Sequence, residues 1–229
     1  LFCSSFSSVF TGGANSDALG QTDSRGPGVQ ILNVDNGSFA NDVLIVASSA
    51  DANGKTNNGA VYLVKNADLS LGSFDFNDVS KFSAAWYGAN NYDRLGYTLN
   101  SHSGAQLVNA DDGAYANDLV LTDINANVNG KTRNGAVYLI KNIDGLSGAY
   151  DLNSSINFSA AWVGGSDSDQ IGNTNISGLG VQIVNSDNNS TANDLVINSY
   201  LADVNGLTDN GAVYLIKDIG AKSGLNDLS

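Results

Sequence analysis

The chain has one cysteine, one proline, one histidine and no methionine. A single cysteine, Cys3, excludes an internal disulfide. It has no histidine near it in sequence, so a Cys–His nucleophile is not indicated. The one histidine, His102, stands in a Ser/Gly-rich stretch and reads as an exposed bystander rather than a base. Basic residues are also scarce, with 10 Lys+Arg against 23 Asp+Glu, a net charge of −13 and a pI near 4.1. Such a surface repels phosphate backbones and anionic lipid, which argues against nucleic-acid and peripheral membrane binding. No apolar run is long enough to span a bilayer, so no membrane insertion is expected. Nor is there a sustained 3.6-residue periodicity, so helix should be scarce.

Turn chemistry is abundant instead. Twenty-six glycines, with many Asn, Ser and Asp, separate short apolar runs, and hydrophobic residues still make up 42%. The Asn/Ser/Gly richness, the low Lys content and N-x-S/T sequons at Asn36, Asn153, Asn175, Asn188 and Asn189 point to an extracellular or cell-surface setting. The first residue is Leu1 rather than Met, as expected of a processed or excised segment, and Leu1-Phe2-Cys3 is compatible with a lipoprotein cleavage region.

A repeat organises the whole chain. Phe6-Ser-Ser-Val-Phe10, Phe82-Ser-Ala-Ala-Trp86 and Phe158-Ser-Ala-Ala-Trp162 recur every 76 residues. In the same register lie Asp17-Ala-Leu-Gly20, Asp93-Arg-Leu-Gly96 and Asp169-Gln-Ile-Gly172. Gly28-Val-Gln-Ile-Leu32, Gly104-Ala-Gln-Leu-Val108 and Gly180-Val-Gln-Ile-Val184 follow, then Asn58-Gly-Ala-Val-Tyr62, Asn134-Gly-Ala-Val-Tyr138 and Asn210-Gly-Ala-Val-Tyr214.

Each unit reads as four strands, exemplified by Phe82 to Tyr87, Ala105 to Asn109, Asp118 to Thr122 and Ala136 to Lys141. The Asn-Gly pairs before the fourth strand suggest tight turns between antiparallel strands. Residues 66–81 and 142–157 are read as long connections. Near-continuous apolar runs suit sheets buried on both faces, with Ala84, Ala85, Ala160 and Ala161 permitting close packing. The expected fold is all-β and β-propeller-like: three tandem four-stranded antiparallel blades of about 76 residues, at 1–81, 82–157 and 158–229. The rival three-fold architectures are the β-trefoil, whose unit is much shorter, and the β-prism.

These residues resemble the FG-GAP repeats of integrin α-subunit propellers and their prokaryotic relatives. Leu95-Gly96 stands for the family's Phe-Gly, Asn109-Ala-Asp111-Asp-Gly113-Ala-Tyr-Ala-Asn-Asp118-Leu119 for its calcium loop, and Gly135-Ala-Val-Tyr138 for its final strand. The resemblance covers all three units in the right order. It implies a blade fold, an extracellular location, cell adhesion or ligand recognition, and loop-bound calcium. The sequence departs from the pattern at several points. The first loop position is Asn (Asn33, Asn109, Asn185), the third Asp (Asp35, Asp111, Asp187), the fifth Gly or Asn, and the closing Asp (Asp42, Asp118, Asp194) comes one residue late. Leu121-Thr-Asp-Ile replaces the family's Gly-Ala-Pro segment.

Two carboxylates and one amide per loop, completed by carbonyls and water, are a possible Ca2+ set. The same residues also read as turns whose side chains bond their own backbone. Asp51-Ala-Asn53-Gly54, with its copies at Asn127 and Asp203, reads as a turn because the middle copy lacks the carboxylate. Asp17, Asp93 and Asp169 read as structural hydrogen-bond acceptors. Trp86, Tyr87 and Trp162 read as core rather than as sugar platforms. Every repeated acid fits a turn or a metal role, so no catalytic residue is assigned and the chain is expected not to be an enzyme.

Three blades are too few to close a ring on their own. The expected partners are therefore other copies of the chain or further blades, with a protein or glycan ligand on the loops. Leu1 and Ser229 lie at matching phases of the repeat, as in a cut from a longer array or a subunit whose ends complement each other. The function expected is an extracellular adhesion or recognition module. The alternative is a structural subunit of a surface layer or filament.

Overall fold

The computed structural model describes residues 7–21, 27–98, 104–174, 178–187 and 190–229. Cys3, Phe6, His102 and the sequons at Asn175, Asn188 and Asn189 lie outside the described residues, whereas Asn36 and Asn153 are exposed. The chain is all-β. Its only helical pieces among the described residues are three-residue 3-10 turns.

The strands follow the repeat. The first round comprises β1 (Ser8–Thr11), β2 (Val29–Leu32), β3 (Asp42–Ala47), β4 (Ala60–Val64) and β5 (Gly72–Asp75). The second comprises β6 (Ala84–Tyr87), β7 (Ala105–Val108), β8 (Asp118–Asp123), β9 (Ala136–Ile140) and β10 (Gly148–Asp151). The third comprises β11 (Ala160–Val163), β12 (Val181–Val184), β13 (Asp194–Ser199), β14 (Ala212–Ile216) and β15 (Gly224–Asp227). Runs such as Asp42-Val-Leu-Ile-Val-Ala47 and Ala136-Val-Tyr-Leu-Ile140 are rich in β-branched and aromatic side chains that suit a pleated, buried surface.

The sheets correct the sequence reading in two ways. First, the unit contributes five strands rather than four: β5 and β10 form inside the stretches read as connections, and β15 is their copy in the third unit. Second, a sheet draws on two consecutive units. One sheet has the order β10-β6-β4-β3-β2 and the next β15-β11-β9-β8-β7. β2, β3 and β4 form an antiparallel meander, and β6 of the following unit pairs antiparallel with β4, Val61 opposite Trp86. β10 then lies parallel to β6, Tyr150 opposite Trp86. A parallel pair needs a long crossover; here β7, β8 and β9 supply it. A two-stranded sheet, β1-β5, and a three-stranded sheet, β12-β13-β14, complete the set. All four sheets are open, and no barrel or closed ring forms among the described residues.

Three apolar layers lie between the sheets. Leu44, Leu63 and Trp86 meet Leu119, Leu121 and Tyr138. Val120, Leu139 and Trp162 meet Leu195, Ile197 and Ile219. Ile45, Tyr62 and Tyr87 meet Phe10 and Phe74. β4 and β9 are buried along their whole length, because they are central strands covered on both faces. Each large side chain so buried contributes about 1.5–3 kcal/mol. Trp86, Tyr87 and Trp162 are core residues, and the Trp86 ring stacks on Tyr150 with centroids 6.2 Å apart. Ala84, Ala85, Ala160 and Ala161 are fully buried.

The Asn-Gly pairs are not hairpin turns. The β3–β4 link runs over residues 48–59, and the pair sits at its end. Asn58 Oδ1 accepts from Ala52 N at 2.9 Å, and Asn58 Nδ2 donates to Gly88 O of the next unit at 2.9 Å. Gly59 has φ +77, and a Cβ there would lie 2.3 Å from Leu95 N. The pair is where one unit docks on the next.

Candidate functional site

The three β2–β3-type loops, at residues 33–42, 109–118 and 185–194, hold the candidate metal ligands. The closing aspartates Asp42, Asp118 and Asp194 begin β3, β8 and β13 and are fully buried. Each braces its loop in the same way. Asp42 Oδ2 accepts from Val34 N at 2.7 Å, and Oδ1 from Asn66 N at 2.9 Å. Asp118 accepts from Ala110 N at 2.7 Å and Asn142 N at 2.9 Å. Asp194 accepts from Ser186 N at 2.7 Å and Asp218 N at 2.9 Å. These carboxylates tie the start of each loop to the exits of β4, β9 and β14.

Their environments differ. Burial pushes Asp118 above the usual carboxylate range in spite of its amide donors. Asp194 is held below that range, first by the Ser186 hydroxyl and then by the amides of Asp218 and Ser186.

The other loop residues converge on a glycine. Asn33 Nδ2 donates to Gly37 O at 2.7 Å, and Asp35 Oδ1 accepts from Gly37 N at 3.0 Å. Asn109 and Asp111 repeat this on Gly113, at 2.7 and 3.2 Å. With its amide nitrogen so engaged, the buried Oδ1 of Asn33 has no partner, and neither has that of Asn109. A Cβ at Gly37 would lie 3.1 Å from Asp35 Oδ1 and 3.8 Å from Asn33 Oδ1; at Gly113 the distances are 3.1 and 3.6 Å. Two side-chain oxygens therefore face one small space that a methyl group would fill. These two oxygens are the atoms a hard cation could use, with carbonyls and water needed to complete its shell. The same loops are also self-bonded Asx-type turns. The turn reading accounts for the hydrogen bonds of these loops.

The third loop differs. Asn185 and Asp187 are exposed, and ligand atoms of Asp187, Asp194 and Asp218 lie within 4.8 Å of one another. Sequence reasoning missed Asp218. Its signal was present, because the other units carry Asn66 and Asn142 at that repeat position.

The remaining repeated acids are structural. Asp51 Oδ1, Asn127 Oδ1 and Asp203 Oδ1 accept from the amides of Asn57, Arg133 and Asp209 at 2.6, 2.8 and 2.7 Å, closing turns. Asp17, Asp93 and Asp169 accept from Ala14, Asn90 and Ser166 at 2.8, 2.7 and 2.8 Å. Their other oxygens take Asp51 N, Asn127 Nδ2 and Asp203 N at 3.3, 3.4 and 3.2 Å.

The middle unit adds a second buried acid. Asp123 stands where the other units have Ala47 and Ser199. One of its oxygens accepts from Asn125 N at 3.2 Å, and the other is buried without a partner. Burial and then the charge of Asp93 push Asp123 well up. Burial pushes Asp93 up to about 6, against the hydrogen bonds of Asn90 and the charge of Lys55.

No family model matches the chain, and no curated protein matches it.

Proposed function

We propose that the chain is a non-enzymatic, extracellular adhesion or recognition module of FG-GAP-like, propeller-type repeats, with calcium supporting its loops. The observation behind this reading is the repeated loop. A buried carboxylate braces each one on a rigid sheet, and in two units paired oxygens converge on a glycine. Rigid sheets carrying loops of differing sequence are an architecture for binding. The repeated carboxylates accept backbone amides, which is a structural use of an acid and not a reactive one. A protein or glycan on the cell exterior is the ligand class proposed.

Calcium that binds only the folded state raises stability in step with the ratio of free ion to dissociation constant. The melting temperature should rise with millimolar CaCl2 and fall in EGTA. A melting temperature indifferent to both, with no metal in native mass spectra, would remove calcium from the proposal.

A second reading is a structural subunit that assembles through its own repeats. It is favoured by the incomplete β1-β5 and β12-β13-β14 sheets. Mass photometry separates the two readings: a module acting alone stays monomeric, whereas a self-assembling subunit forms multiples of 23.6 kDa.

A further inference from the structure

Both complete sheets share one recipe. Three strands of one unit, in antiparallel meander, are extended by two strands of the next unit, the first antiparallel and the second parallel. The remaining five strands are the same two parts held separately. β12-β13-β14 is the three-strand part, and β1-β5 is the two-strand part, already paired in parallel with Phe10 opposite Phe74. We infer that the β1-β5 pair of one copy adds to the open edge of β14 in a second copy, head to tail, giving a sheet ordered β5-β1-β14-β13-β12. This inference rests on the self-assembly reading above and supplies its partner and register.

The register comes from the two joins inside the chain. Ala60, Val61, Tyr62 and Leu63 lie opposite Tyr87, Trp86, Ala85 and Ala84. Ala136, Val137, Tyr138 and Leu139 lie opposite Val163, Trp162, Ala161 and Ala160. Carried along the repeat, Ala212, Val213, Tyr214 and Leu215 fall opposite Thr11, Phe10, Val9 and Ser8 of the second copy.

The two halves carry the complementary chemistry. Val61, Val137, Leu63 and Leu139 are 0% exposed, whereas Val213 is 70% and Leu215 51% exposed. Asn58 and Asn134 are buried and donate to Gly88 O and Gly164 O at 2.9 and 2.8 Å. Their copy Asn210 is exposed; its Oδ1 accepts from Val204 N at 2.8 Å, and the acceptor at the repeat position is Gly12 of the second copy. Gln30 Nε2 reaches Ala105 O at 2.8 Å and Gln106 Nε2 reaches Val181 O at 3.3 Å, which leaves Val29 O as the repeat partner of Gln182. One internal contact has no counterpart. Lys55–Asp151 and Lys131–Asp227 are ion pairs of 2.5 and 2.8 Å, but Leu207 takes the lysine position opposite Asp75. The join between copies is therefore weaker than the joins within one. Because the two surfaces differ, the contact is heterologous, and it continues until a ring closes or a filament grows.

The test uses the whole chain in a Cys3→Ser background. Ser8→Cys and Leu215→Cys variants, mixed and mildly oxidised, should form an intermolecular disulfide. A Ser8→Cys and Val213→Cys mixture should cross-link at least tenfold less, because that pair is slipped by two residues to a diagonal of about 7–8 Å. Without cross-linking, scattering mass should rise with concentration, and Val213→Lys, exposed in the monomer, should shift that rise at least tenfold upward. Assembly without the Ser8–Leu215 cross-link would overturn this register and leave self-assembly standing. A monomer at every concentration would overturn both. A Ser8→Cys/Leu215→Cys double variant that cross-links within a monomer would overturn the second copy as the occupant.

Discussion

Asn134 joins two units through one side chain: Oδ1 accepts from Val128 N at 3.0 Å, and Nδ2 donates to Gly164 O at 2.8 Å. The bond to Val128 N is partly buried and the bond to Gly164 O is buried. Asn134→Ala should therefore cost about 2–4 kcal/mol, the loss of two hydrogen bonds plus the desolvation of the groups left behind. Asn210→Ala removes one exposed bond and should cost under about 1 kcal/mol in the monomer. Urea unfolding with an unchanged slope would show the difference; equal costs would refute the docking role.

The backbone contact beside it is as restrictive. A Cβ on Gly164 would sit 2.3 Å from Asn134 O, and one on Gly88 2.0 Å from Asn58 O. Gly130 has φ +76 and nothing within 4 Å of its Cβ position. Gly164→Ala should destabilise by more than about 3 kcal/mol, because backbone must move, against about 1 kcal/mol for Gly130→Ala, where only φ is strained. Thermal melts of the two variants are the check, and a milder effect at Gly164 would contradict the unit-to-unit fit.

The glycines of the candidate metal loops offer a clean substitution. Gly37→Ala with Gly113→Ala places methyl groups between the paired oxygens. In the absence of metal the double variant should melt within a few degrees of the parent. Any rise in melting temperature with CaCl2 should shrink sharply, and a calcium response retained in full would show that the ion binds elsewhere.

Asp93 and Asp123 make stability pH-dependent. Their folded-state values lie above the ordinary carboxylate value, so the fold prefers their protonated forms. The penalty is absent below the unfolded value near 4 and grows as pH rises through about 6. For Asp93 this amounts to about 2–3 kcal/mol at pH 7.5. Stability should fall between pH 5 and 7.5. Asp123→Ser, the residue of the third unit at Ser199, should flatten that fall and raise stability at pH 7.5. A parent whose stability is level over this range would speak against the buried pair.

Much of the strand framework was legible because short β-branched runs repeat in register, as in Ala60-Val-Tyr-Leu-Val64 and Ala136-Val-Tyr-Leu-Ile140. The strand Gly148-Ala-Tyr-Asp151 was not. It is polar and partly exposed, and it becomes a strand by pairing with β6 rather than through its own composition. The grouping of strands into sheets was hidden for a related reason. The repeat shows which strands follow one another, but the choice of edge for Ala84–Tyr87 depends on contacts with Ala60–Val64 of the preceding unit. In the loops the residue types at Asn33, Asp35 and Asp42 were visible. The burial of Asp42 and the open oxygen of Asn33 were not, since they depend on how β4 exits at Asn66.

Amide hydrogen exchange as a function of chain concentration tests sheet completion most directly. The amides of 212–216 that face away from β13, and those of 8–11 that face away from β5, should exchange fast in dilute solution and gain protection together as concentration rises, while β4 and β9 stay protected throughout. Edge-facing amides of 212–216 whose protection is already high and does not change with concentration would contradict the account.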